Sequence, residues 1–162
     1  ELAQACDNVL LVDCREQQAE ANRVLPIQQA LIESAQYEDP ISLLHAQFVS
    51  FDDAFQLCEL RVGQQRWWLA HQALPAGCTL RLRVHARDVS ISRDANSVSS
   101  IQNRLRARVV SVIADPSGPH CNVHLNVDGQ PLLARITRRA QAQLQLLPEQ
   151  IVYAQVKAAA LA

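Results

Sequence analysis

Residues 79–85 read Thr-Leu-Arg-Leu-Arg-Val-His, an unbroken alternation with Leu80, Leu82 and Val84 on one side and Arg81, Arg83 and His85 on the other. A period of two belongs to a strand with one buried face, and a helix would mix these residues. The same pattern recurs beyond residue 40. Phe48 and Val49 open a strand, and Leu57–Val62 and residues 66–70 follow. After 79–85 come 106–114, then 121–127 with Cys121, Val123, Leu125 and Val127 on one face, then 131–136 and 151–157. Short strands at this spacing predict a small barrel or sandwich. A single short helix is expected between the last two, with Thr137 capping its start and Ala140, Leu144 and Leu146 forming its apolar stripe.

The strand-rich region reads as a duplication. Leu74-Pro75-Ala76-Gly77 leading into Leu80 to Val84 parallels Leu147-Pro148-Glu149-Gln150 leading into Tyr153 to Lys157, with a one-residue offset assigned to the turn. Each copy is about the size of a five-stranded barrel of the oligonucleotide/oligosaccharide-binding (OB) type. The expectation is a mainly β chain of two tandem OB-like barrels.

Residues 1–40 differ in character. They hold eight acids against Arg15 and Arg23, whereas 81–108 hold seven arginines against Asp88 and Asp94. Such a shift marks a boundary between regions with different roles. Val9 to Val12 reads as a buried strand and Pro26 to Ser34 as a helix begun by proline, the pattern of an α/β unit. Glu38-Asp39-Pro40 breaks that pattern. The expected division is an α/β remnant at 1–38, a first barrel at 39–97 and a second at 98–162. The chain contains no Met, which suggests a piece cut from a longer protein.

Several chemistries are excluded. The four glycines (63, 77, 118, 129) stand singly, so no Walker-type phosphate loop exists, and there is no G-x-S-x-G elbow. Asp52-Asp53 beside Phe51 reads as a turn cap, and no catalytic residue is assigned. Five irregularly spaced cysteines do not suggest a disulfide framework, and His120, Cys121 and His124 read as alternation along a strand, so no metal site is assigned. Aromatics make up only 4% of the chain, too few for a surface that stacks single-stranded bases. Trp67 and Trp68 should point to opposite faces of one strand.

Residues able to hold an anion remain. Lys157 is the only lysine, the other fourteen basic residues being Arg. It ends a strand and precedes three alanines, so it offers a compact cation beside backbone donors. Ser99-Ser100-Ile101-Gln102-Asn103 is a polar segment rich in hydroxyl and amide donors, suited to a tetrahedral oxyanion. The alternative is a plain turn with a solvated Lys157.

Three stretches together resemble a known family: Arg87-Asp88-Val89-Ser90-Ile91-Ser92; Ser100-Ile101-Gln102-Asn103 with Arg108-Val109-Val110; and the run from Leu133 to Ala140 through Leu147-Pro148 to Tyr153 to Ala158. They resemble the C-terminal regulatory (Mop/TOBE) region of the ATP-binding subunit of bacterial molybdate ABC transporters. The segment from Glu1 through Val12 is similar to the stretch after the switch histidine of an ABC ATPase domain. The resemblance implies paired barrels that bind molybdate or tungstate as a regulatory signal. It also implies a homodimer at the cytoplasmic face of the membrane, attached to permease subunits through an ATPase domain that supplies the ATP/Mg chemistry.

By the same resemblance, the oxyanion-binding positions are Ser100, Ile101, Gln102, Asn103, Lys157 and Ala158. Two departures matter: Gln102 stands where the family has Arg, removing a fixed charge, and Ala158 where stand-alone members have Ser, removing a hydroxyl. Rival readings are the regulatory region of a related sulfate, iron or sugar importer, and an OB-type nucleic-acid-binding module.

Overall fold

A computed structural model of the chain describes residues 9–11 and 40–157. The expected helix at 26–34, the rest of the α/β segment and Ala158 lie outside the described residues. Among the described residues, ten strands form two antiparallel five-stranded sheets. The first contains β1 (Val9–Leu11), β2 (Ile41–Asp52), β3 (Leu57–Val62), β4 (Gln65–Leu69) and β5 (Thr79–His85), in the order β1-β5-β2-β3-β4. The second contains β6 (Val89–Ser92), β7 (Asn103–Ala114), β8 (His120–Val127), β9 (Gln130–Thr137) and β10 (Ile151–Val156), in the order β6-β10-β7-β8-β9. Adding five to each strand number converts the first order into the second. The chain is mainly β, and its two curled sheets are of the OB-like type.

The long strands explain how each sheet curls. The first part of β2, Ile41 to Gln47, pairs with β5, and the later part, to Asp52, pairs with β3 across a bulge between Phe48 and Ser50. β7 repeats this with β10, then β8, across a bulge between Val109 and Ser111. A bulge bends and twists its strand, so one strand can serve two partners in different directions. In each copy the bulge residue's N–H donates to the carbonyl just before the last strand: Phe48 to Cys78 at 2.8 Å, Val109 to Gln150 at 2.9 Å.

These bonds correct the register of the repeat. Cys78 matches Gln150, so the turns before β5 and β10 are related by a constant shift, without an insertion. Gly77 and Glu149, at φ of 72° and 68°, occupy the same left-handed position. Buried Leu74 therefore corresponds to buried Leu146, whereas Leu147 is 66% exposed. The shared Leu-Pro dipeptide lies one residue out of structural register.

Three strand boundaries also differ from expectation. β2 begins at Ile41, well before Phe48, because Ser42 and Ala46 face the core while Ile41 and Leu43 face out, which hides the alternation. β7 begins at Asn103, not 106. Residues 89–92 form a strand that pairs with β10, so the sheets divide between His85 and Val89 rather than at residues 97/98. Four residues are too few to display a period, and their partner lies some sixty residues away. The Val9 strand is present as β1 and pairs with β5. The helix, α1 (Arg138–Leu144), is capped as expected by Thr137, whose hydroxyl accepts from Ala140 N at 3.1 Å.

The two copies share one continuous core. Trp67, Leu44, Leu60 and Leu82 from the first sheet and Leu105 and Leu125 from the second are fully buried in the same cluster. As expected, Trp67 is buried while Trp68, on the other face, is partly exposed, its ring 5.6 Å from the Arg66 guanidinium.

Side-chain amides join the copies where backbone edges would otherwise go unpaired. Gln65, opening β4, accepts from Arg106 N at 2.6 Å and donates to Arg106 O at 2.9 Å. Gln130, opening β9, does the same to His45, at 2.7 and 3.2 Å. In return β7 and β2 satisfy the edges of β4 and β9. Asn103 accepts from Trp68 N at 2.7 Å and donates to Trp68 O at 2.9 Å, and Ser42 Oγ accepts from Leu133 N at 2.9 Å. An exposed strand edge presents unpaired donors and acceptors, and here each copy covers the other's. The chain is an internal pseudo-dimer.

Candidate functional site

The segment between β6 and β7 is held by a network of polar contacts. Ser92 Oγ accepts from Asp94 N at 3.0 Å, and Asp94 Oδ1 accepts from Asn96 N at 2.8 Å. Gln155 on β10 donates to Ser97 Oγ at 3.2 Å. Arg104, the second residue of β7, spreads its guanidinium over the carbonyls of Ile101 and Ala95 and over Ser99 Oγ, at 3.2 to 3.3 Å. A planar fork with several fixed donors suits the bracing of an irregular backbone. Sequence reasoning counted Arg104 only as one charge in a basic stretch.

The expected anion-binding residues differ in their environments. Ser100 and Gln102 are exposed and their side chains make no hydrogen bond among the described residues. The Ile101 N–H is already donated to Ser99 Oγ at 3.1 Å. Asn103 is fully buried on β7 with its amide oxygen and nitrogen both engaged by Trp68. Lys157 is exposed at the end of β10, where the ladder's last pair is Val156 with Asn103, so continuing it by one residue sets Lys157 opposite Gln102. On the other edge of β10, Val156 pairs with Val89, and Asp88 immediately precedes that residue. The fold thus brings Gln102 and Lys157 to one corner, with Ser100 two residues up the segment. Ala158 lies outside the described residues.

Beside this corner is a cleft of about 480 Å³ between the copies. Ile101, Gln102 and Arg104 line one wall; Asp52, Phe55 and Trp68 of the first copy line the other. Asp52 caps the β2–β3 turn, its carboxylate accepting from Ala54 N at 3.0 Å and Phe55 N at 3.2 Å. The participation of the first copy was not foreseen. Its only sequence signal was the Trp67-Trp68 pair, one ring of which had to face outward.

Among the described residues, no group of three His, Cys, Asp or Glu side chains is arranged to hold a metal ion. His120, Cys121 and His124 alternate along β8. Burial pushes the Cys121 thiol up and the His124 ring down from their ordinary values, which favours neutral forms for both. Nor is any helix among the described residues long and apolar enough to cross a membrane.

The doubled OB-like architecture is also found among known proteins. Residues 99–162 match the TOBE domain model. The chain resembles the TOBE-bearing C-terminal region of molybdate-importer ATP-binding subunits. It is 40% identical over 129 residues to the molybdenum import ATP-binding protein ModC of Bordetella pertussis, covering 78% of this chain and 35% of that one. With ModC 1 of Azotobacter vinelandii the identity is 35% over 161 residues, covering 99% of this chain and 45% of the other. The chain therefore spans less than half the length of these curated relatives. Among solved structures it is similar to the cytoplasmic molybdate-binding protein ModG with molybdate bound, at 20% identity and a TM-score of 0.61, covering 72% of this chain and 89% of that one. At that identity the likeness concerns the fold. The TOBE match begins at residue 99, whereas the second sheet also recruits β6 from upstream.

Proposed function

We propose that this region is the regulatory, oxyanion-binding part of an importer's ATP-binding subunit, taking molybdate or tungstate at the corner formed by Ser100, Gln102 and Lys157. Support comes from the union, at one strand end, of the only lysine with two polar side chains that have no partner among the described residues. Ser100 and Gln102 supply neutral donors and Lys157 the compensating charge. The Ile101 N–H and the Asn103 amide act indirectly, by shaping the segment, since both are already engaged.

A dianion beside one lysine remains undercompensated in charge, with Asp88 nearby and Arg104 turned onto the segment. Two chains meeting at this corner double the donors and cations around the ion, so the binding form is a homodimer. In the longer protein, ATP hydrolysis and docking to membrane permease subunits belong to the ATPase part, and occupancy of this corner reports the oxyanion supply to it.

Titration calorimetry of the chain with molybdate, using sulfate as control, tests this reading. Heat with molybdate, and a loss of about tenfold or more in affinity in Lys157→Ala, is the expected result. Absence of heat with molybdate and tungstate sinks the reading. Equal heat with sulfate would instead favour a general anion site of a related importer.

A further inference from the structure

The pseudo-dimer contains two edge clamps in equivalent places. They differ in strength and surroundings. Ser42 makes one bond to Leu133 N, whereas Asn103 makes two, to the N–H and C=O of Trp68. Asn103 is 0% exposed and immediately follows Gln102. It is also paired with Val156, the residue before Lys157. Its amide therefore fixes to the first copy the point from which both halves of the proposed anion corner depart. A buried primary amide satisfied on both atoms has a single orientation, and rotating it would leave buried polar groups unpaired.

We infer that Asn103 is a positioning residue that makes the first copy part of the oxyanion corner, holding Gln102 and Lys157 in the frame of β4 without touching the ion. This rests on the reading of that corner as the anion site. It has two consequences. Loosening the clamp should weaken binding even though no ligand-contacting side chain changes. Binding should also be sensed at Trp68, whose backbone is clamped by Asn103 and whose side chain lines the cleft beside Gln102.

The most direct variant is Asn103→Ser, which copies the single-bond arrangement of Ser42 and so uses a clamp the fold already tolerates. Asn103→Ala is a harsher second variant, and Ser42→Ala removes the equivalent clamp between the same two copies at β2 and β9. Calorimetry with molybdate and urea unfolding are run on all of them. The expected result is a rise of about tenfold in Kd for Asn103→Ser, the size usual for residues that orient a ligand shell, and about twofold at most for Ser42→Ala despite a comparable stability loss. In the wild type, molybdate should change a tryptophan fluorescence signal that disappears in Trp68→Phe and shrinks in Asn103→Ser.

The inference is overturned if Asn103→Ser binds molybdate as tightly as the wild type, or if Ser42→Ala weakens binding as much. It is equally overturned if the fluorescence change survives Trp68→Phe. A wild type that binds no molybdate sinks the site reading itself, a result distinct from a site that binds but ignores Asn103.

Discussion

The two copies share a backbone plan yet treat the same positions differently. Just past each bulge, a serine on the long strand lies opposite a residue on the next strand: Ser50 opposite Glu59, Ser111 opposite His124. In the first copy the pair is solvated. Ser50 Oγ donates to Glu59 at 3.2 Å, and Glu59 also takes Arg66 at 2.7 Å. In the second copy Ser111 Oγ and His124 Nε2 are buried without a partner among the described residues. Duplication thus preserved the bulges, the turns and the clamps that join the sheets, while the outer faces diverged. The proposed anion corner belongs to this diverged set. Lys157 occupies the place of His85, the residue opposite Ile41 in the first copy.

The strongest test of the comparison asks whether the copies are energetically one unit. Trp67 is fully buried in the first sheet, and its cluster continues into Leu105 and Leu125 of the second. Replacing it with Ala should cost about 3–5 kcal/mol, and urea unfolding should remain a single transition followed equally by probes in either copy. Two separated transitions would show that the copies are independent barrels.

The amide clamps come next in size. Gln65→Ala strips both partners from the Arg106 backbone and removes a 3.1 Å bond to Asp128, which also accepts from Gln64 N. Gln130→Ala strips only the His45 backbone. Both sites are partly open to water, so losses of about 1–2 kcal/mol for Gln65 and about 1 kcal/mol for Gln130 are expected from denaturation midpoints. A Gln130 loss larger than that of Gln65 would mean that the extra bond from Gln65 to Asp128 contributes nothing to the difference between the copies.

These residues also mark how much of the molecule was legible in the sequence. The strands with a clean period, 79–85 and 121–127, could be read because the alternate residues of one face, Leu80, Leu82 and Val84 or Cys121, Val123, Leu125 and Val127, are all apolar and all buried. β2 was half hidden because Ser42 turns inward to serve the edge of β9, which defeats a reading based on hydropathy. Asn103 looked like part of a polar turn, since the strand–side-chain bonds that bury it reach to Trp68 in the other copy. Lys157 and Ser100, which the proposed corner uses, could be named from the sequence. The cleft wall formed by Asp52, Phe55 and Trp68 could not, because only the folded pseudo-dimer brings the β2–β3 turn against the start of β7.

The buried His124 predicts a pH dependence of stability. Desolvation lowers its folded pKa below the unfolded value of about 6.5, so the unfolded chain takes up the proton first as pH falls. Stability should be full above about pH 6.5, decline as pH drops through that value, and level off below the folded pKa. His124→Gln should remove this slope in urea midpoints measured across the range. Asp115 acts in a separate window. The Ser117 N–H and hydroxyl hold its carboxyl below the usual range, so its contribution is present above about pH 4 and is lost only as pH falls further. A slope unchanged in His124→Gln would mean that the buried ring is not the group responsible.

The smallest effect is expected at the turn where the repeat was one residue out of register. Gly77 adopts φ of 72° with nothing within 4 Å of where a Cβ would stand, and Glu149 adopts φ of 68° in the same role. A side chain in the left-handed region costs about 1–2 kcal/mol, partly offset by the greater chain entropy of unfolded glycine. Glu149 also pairs with Arg108 at 3.3 Å, but both side chains are mostly exposed, so the pair contributes about 0.5 kcal/mol or less. Glu149→Gly should therefore stabilise by a few tenths of a kcal/mol, and Gly77→Glu should destabilise by about 1 kcal/mol. The opposite signs are the informative part of this test, because steric space is open at Gly77 and only backbone conformation can penalise the new side chain. Shifts of the same sign in the two midpoints would mean that the turns are not equivalent, and the constant register that relates one copy's last strand to the other's would fail with them.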